Sequence, residues 1–209
     1  LTSLALLGAS GQLQVEALPG VRPGQPVARL SGGPLARPID VPLWLKLEDP
    51  SRAYVVVRAL EVEKGLIYLE QEDLQTGQEC RLLEVGTGVF RVPAKGCLGG
   101  GGFSSHRLIE KVQPGLYAVT SASEGCADFS LVRWSPEKGS QEAFNAGLGC
   151  GGGTITWVVR DGVLRLESPC DLKAGTCGKC PTCEVTTPTR VWTWTEKGGL
   201  KLLGPAQGR

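Results

Sequence analysis

Apolar and polar side chains alternate along "TITWVVRDGVLRLES", residues 154–168, with Asp161 and Gly162 between the two arms. A period of two marks a strand that buries one face, and Asp-Gly suits a two-residue hairpin turn whose central positions need positive φ. Such a turn pairs Arg160 with Val163, Val159 with Leu164 and Trp157 with Leu166. Trp157, Val159, Leu164 and Leu166 then share an apolar face, and Val158, Arg160, Val163 and Arg165 share a mostly solvated one. A sandwich or barrel wall has this form.

Three further stretches repeat the pattern of a strand, a polar turn with glycine, and a second strand. In "AYVVVRALEVEKGLIYLEQ" a loop at Glu63, Lys64 and Gly65 predicts the pairs Val62 with Leu66, Leu60 with Tyr68 and Arg58 with Glu70, the last a cross-strand charge pair. A helix over 66–74 competes for the second arm, but the β-branched run Val55–Val57 favours strand for the first. In "RVWTWTEKGGLKLL" a loop of odd length brings Leu200 and Leu202 opposite Trp194 and Trp192. "FSLVRWSPEKGSQEAF" is the weakest of the set. The turn glycines Gly65, Gly139, Gly162 and Gly199 are irregularly spaced, so they do not demonstrate the fixed period of a propeller or solenoid.

Punctuation by 30 glycines and 14 prolines among 209 residues leaves little room for long helices. The fold class expected is therefore all-β: antiparallel hairpins in a sandwich or barrel-like domain, with Gly/Pro-rich loops and disulfide staples. Residues 1–50 form the expected proline-rich, extended N-terminal segment, in which "VPLWLKL" (41–47) is a candidate strand, because prolines at 19, 23, 26, 34, 38, 42 and 50 cannot donate to a ladder. Residues 51–209 form the antiparallel domain, with a candidate division into two subdomains near 98–105. The opening "LTSLALLGAS" resembles the end of a secretory signal sequence without its basic start, and an ordinary first strand explains it equally. No apolar run approaches the ~18 residues that cross a bilayer as a helix.

Lysine and arginine (22) balance aspartate and glutamate (21), and the charges are scattered, which argues against nucleic acid or anionic lipid as a partner. Methionine is absent and asparagine occurs once, at Asn145, a thermophile-like composition also suited to an oxidising location.

Eight cysteines form an even set: Cys80, Cys97, Cys126, Cys150, Cys170, Cys177, Cys180 and Cys183. In a glycine-rich β chain that count favours disulfides and an extracytoplasmic place: periplasmic, cell-surface or secreted. Spacing pairs Cys80 with Cys97 and Cys126 with Cys150, and leaves two bonds for "CDLKAGTCGKCPTC" at 170–183. The alternative is a zinc site using Cys170, Cys177, Cys180 and Cys183 as thiolates, although Cys180 would belong to two CxxC pairs at once. No other cofactor is implied. The iron–sulfur spacing does not fit, and glycine and proline interrupt any helix that could activate a redox CxxC.

His106 is the single histidine, in "GCLGGGGFSSH". It sets up the remotest alternative, a hydrolase in which His106 activates Cys97 or one of Ser104 and Ser105. A loop histidine beside a disulfide explains the same letters. The glycine runs at 96–102 and 147–153 lack the lysine and hydroxyl of a phosphate-binding loop. Trp192 and Trp194, two apart on one strand, are either a core ridge or an exposed stacking platform for sugar or peptide. No reaction is legible; the expectation is a structural or binding module, its partner an envelope protein or a carbohydrate or peptide ligand.

Overall fold

The computed structural model describes residues 12–73, 75–87, 89–91, 97–98, 106–123, 126–150, 155–160, 163–169, 171–173 and 189–205; at 89–91, 106–107, 122–123, 126, 147–150 and 160 the description is of the backbone alone. Among the described residues the protein is all-β, with fifteen strands in four sheets and no helix. Among the same residues no helix is long and apolar enough to cross a membrane. Two compact units emerge: residues 1–103 with 134–140, and residues 104–133 with 141–209.

The first unit contains a three-stranded sheet of β1 (Gln14–Ala17), β2 (Pro26–Ser31) and β3 (Ile39–Pro42), and a four-stranded sheet of β4 (Val55–Glu63), β5 (Leu66–Asp73), β6 (Gly77–Glu84) and β7 (Val89–Arg91). Ala28, Leu30 and Val41 pack with Ile67, Leu69 and Leu83 to form its core. The proline-rich stretch thus supplies one wall of a sandwich. Pro26 opens β2 and Pro42 closes β3, positions where a missing N–H costs little.

The strand expected over 41–47 ends at Pro42. Beyond it Leu43, Leu45 and Leu47 still alternate into a buried cluster with Val27, but their backbone bonds lie outside any ladder. Leu43 N–H donates to Gln25 O, Leu43 O accepts from Gly24 N–H, and Trp44 N–H donates to the Gln71 side chain. The apolar alternation was a true burial signal; the hydrogen-bond partners differ.

The β4–β5 hairpin pairs Arg58 with Glu70 and Leu60 with Tyr68, as the alternation predicts. It departs at the turn: Glu63, not Val62, pairs with Leu66, across a bulge between Glu61 and Glu63. The Glu61 carboxylate accepts the Gly65 N–H at 3.0 Å, which shortens the loop to Lys64–Gly65, and Gly65 takes φ 74°. The extra residue, Val62, is buried. Residues 66–73 are strand, not helix.

The second unit holds β8 (His106–Gln113), β9 (Leu116–Ser123), β10 (Cys126–Ser135) and β11 (Gly139–Cys150) in the order β11-β10-β9-β8, and β12 (Thr156–Arg160), β13 (Val163–Ser168), β14 (Arg190–Thr195) and β15 (Gly199–Pro205) in sequence order. The tip of the β10–β11 hairpin, residues 134–140, groups with the first unit. Leu116, Ala118, Phe129 and Leu131 of one sheet pack on Leu164, Leu166, Trp192 and Trp194 of the other. This is a sandwich core drawn from the inward face of each strand. Both expected registers hold: Trp157 opposite Leu166 and Val159 opposite Leu164, Trp192 opposite Leu202 and Trp194 opposite Leu200. The Asp161–Gly162 turn lies outside the described residues.

Candidate functional site

The densest chemistry among the described residues belongs to β5. Its odd positions, Ile67 and Leu69, enter the core of the first unit, so its even positions Tyr68, Glu70 and Glu72 occupy the opposite face. Register places Arg58 of β4 and Cys80 of β6 on either side of Glu70. Arg58 Nη1 donates to Glu70 Oε1 at 3.0 Å and to Glu72 Oε2 at 2.6 Å. Tyr68 Oη donates to Glu70 Oε2 at 2.7 Å and accepts the Leu98 N–H at 2.9 Å. Glu70 is fully buried, and Glu72 nearly so.

A disulfide between Cys80 and Cys97, with Cα atoms 5.7 Å apart, anchors the segment that carries Leu98. The Ser140 hydroxyl donates to the Cys97 carbonyl. The Trp134 ring meets Tyr68 edge to face, with centroids 5.3 Å apart. One chain of contacts therefore runs from the disulfide through Leu98 and Tyr68 to two buried carboxylates and a guanidinium. Charges taken from water persist only when paired and hydrogen-bonded, and one guanidinium nitrogen of Arg58 meets both carboxylates at once.

The remaining polar residues of β5 are also buried and engaged. Gln71 donates to Pro42 O at 2.7 Å and accepts Trp44 N–H at 2.8 Å, tying the chain after β3 to this sheet. Asp73 accepts the N–H groups of Tyr54, Gln75 and Thr76 and the Thr76 hydroxyl. Desolvation pushes the Asp73 carboxyl up, but the Thr76 hydroxyl and the three backbone amides together outweigh it and hold the carboxyl below its ordinary value. These groups are partnered inward, an arrangement that fixes register and clamps loops.

Of the residues expected to matter, Cys80 and Cys97 are joined as their spacing suggests. That bond removes the thiol needed by a Cys97–His106 dyad, so the cysteine hydrolase reading is corrected: Cys97 has no thiolate to activate. His106 opens β8, while Ser104 and Ser105 lie outside the described residues, as do Cys170, Cys177, Cys180 and Cys183. Cys126 begins β10 and Cys150 ends β11, adjacent strands of one hairpin. Among the described residues no group of three or more His, Cys, Asp or Glu side chains is arranged to hold a metal. Beside the cysteine cluster, Leu172 is buried in the core of the second unit, and Asp171 accepts from Arg190 at 2.8 Å.

Trp192 and Trp194 are 1% and 5% exposed. An exposed stacking platform is therefore corrected to a core ridge, because the facing sheet and the leucines of β13 cover both rings. Sequence reasoning missed the network around Glu70. The paired Arg58 and Glu70 were its visible trace, but a run such as "EQED" reads as solvated surface.

The chain matches no protein-family model, and no curated protein matches it in sequence. Its class is set by its own fold: an all-β protein of antiparallel, sandwich-like units carrying a disulfide.

Proposed function

We propose that the protein is an extracytoplasmic structural or binding module, secreted or held at the periplasmic or cell-envelope side. The Cys80–Cys97 disulfide carries this reading, because such bonds persist where thiols are kept oxidised and are rare in the cytosol. The inward pairing of the buried charges supports scaffolding over catalysis. Exposed apolar side chains at Leu202 and Leu203 of β15 offer contact area for an envelope protein or for a peptide or carbohydrate ligand.

Thiol counting tests the reading. Protein isolated from its native host under acid quench, then denatured and alkylated, should show Cys80 and Cys97 blocked until reduced, and fractionation should place it outside the cytoplasm. Free thiols at both positions in that material would overturn it. Metal analysis of the same sample addresses the alternative, since about one zinc per chain released by chelator would make Cys170, Cys177, Cys180 and Cys183 a metal centre.

A further inference from the structure

We infer that oxidation of Cys80 and Cys97 is the latch that closes the buried Arg58–Glu70–Glu72 network of the first unit. Residues 97 and 98 meet the rest of that unit through the disulfide, the Leu98 N–H to Tyr68 Oη bond, the Ser140 hydroxyl on the Cys97 carbonyl, and the fully buried Leu98 side chain. Tyr68 is the relay: it accepts from Leu98 and donates to Glu70 Oε2, while the other oxygen of Glu70 takes Arg58. Opening the disulfide removes the covalent tie that holds Leu98 against Tyr68, and withdrawal of Leu98 takes a donor from Tyr68 Oη, the group that donates to Glu70. Water then reaches carboxylates whose pairing depends on its exclusion.

The chemistry is a two-electron thiol–disulfide exchange. A dithiol such as dithiothreitol, as thiolate, attacks the Cys97 sulfur, which is half-buried, whereas Cys80 is 6% exposed. Cys80 leaves as thiolate and takes a proton. The second dithiol sulfur then displaces Cys97 as a thiol, closing a cyclic disulfide. Closure reverses these steps with an oxidised disulfide such as oxidised glutathione, which leaves as two thiols.

The inference rests on geometry, not on the compartment, so its test uses purified, oxidised, full-length protein and fails independently of thiol counting in the host. Amide exchange at Leu98 should quicken by about tenfold or more on reduction, while Leu166 in the second unit keeps its protection. In the oxidised protein Tyr68→Phe should quicken Leu98 exchange by about tenfold, and in the reduced protein by less than about twofold, since the relay is already open. Because each removes a contact that holds residues 97 and 98 in place, Tyr68→Phe and Ser140→Ala should each open access to the disulfide and speed its reduction by dithiothreitol, a reading that needs only the oxidised fold. Unchanged Leu98 exchange on reduction, equal loss of protection at Leu98 and Leu166, or variant reduction rates equal to that of the native chain would each overturn the latch.

Discussion

The two units bury different things. The second closes on Phe129, Leu131, Leu164, Leu166, Trp192 and Trp194, a core of apolar volume shared by two sheets. The first has an apolar core on one face of β5, but the other face buries Arg58, Glu70 and Glu72 beside a disulfide. Apolar burial contributes in proportion to area, and its loss scales with the cavity left behind. A buried ion network contributes little net stability while intact, yet removing one member strands the others. The second unit should thus respond to substitution in graded fashion, and the first steeply at a few positions.

The steepest expected response is at Arg58. Arg58→Met leaves two carboxylates in a dry site without their guanidinium and should cost about 3–5 kcal/mol in urea unfolding. Replacing Arg58, Glu70 and Glu72 together with apolar residues should recover most of that loss, because no uncompensated charge remains. A triple variant as unstable as Arg58→Met would show that packing, not charge pairing, sets the cost. Next is Leu166→Ala in the second unit, where a fully buried leucine opposite Trp157 and Trp192 should cost about 2–5 kcal/mol. Leu164→Ala should follow the same scale. A loss below about 1 kcal/mol at both would contradict a close-packed sandwich.

The same contrast explains what the sequence revealed. Period-two alternation and turn chemistry carried the registers of β12–β13 and β14–β15 and most of β4–β5, because each of those hairpins has one apolar face that pins its register. The bulge at Val62 was not legible, since it depends on the Glu61 carboxylate taking the Gly65 amide. Nor was the three-stranded sheet of residues 14–42: the prolines pointed to loops, whereas Pro26 and Pro42 stand at strand ends. Glu70, Gln71, Glu72 and Asp73 are all buried, against every expectation from their polarity. Arg58, and Trp44 and Pro42, all distant in sequence, satisfy Glu70, Glu72 and Gln71, while Asp73 combines distant Tyr54 with nearby Gln75 and Thr76.

Acid should separate the units by a smaller margin. The ionised Asp73 carboxylate, held below its ordinary value by the Thr76 hydroxyl and the amides of Tyr54, Thr76 and Gln75 against the opposing desolvation, favours the folded chain. That contribution is complete above the unfolded carboxylate value near pH 4 and disappears as pH falls through the lower folded value. Asp73→Asn should therefore lower the midpoint of urea unfolding at pH 7 and narrow its difference from the native chain as the buffer is taken from pH 5 toward pH 2. A difference that stays constant over that range would mean the carboxylate charge is not what Asp73 contributes.

The smallest effect expected is at Trp192, and its smallness is informative. The ring is buried in the second core, but Trp192 Nε1 meets no hydrogen-bond partner among the described residues, and a buried N–H in that state costs on the order of 1–3 kcal/mol. Trp192→Phe removes that donor while keeping an aromatic ring in the core with Leu166, its partner on β13. The volume lost opens a cavity and the donor lost relieves a penalty, and the two oppose each other, which leaves a net change within about 1 kcal/mol. Trp194→Phe has a different balance: Arg133 lies over the Trp194 ring at 5.8 Å while pairing with Glu196, so replacing the indole also weakens a cation–π contact. In parallel urea melts Trp192→Phe should unfold at the higher midpoint of the two. The reverse order would mean that the indole N–H of Trp192 is satisfied in solution and that this core, like the face around Glu70, depends on a polar contact.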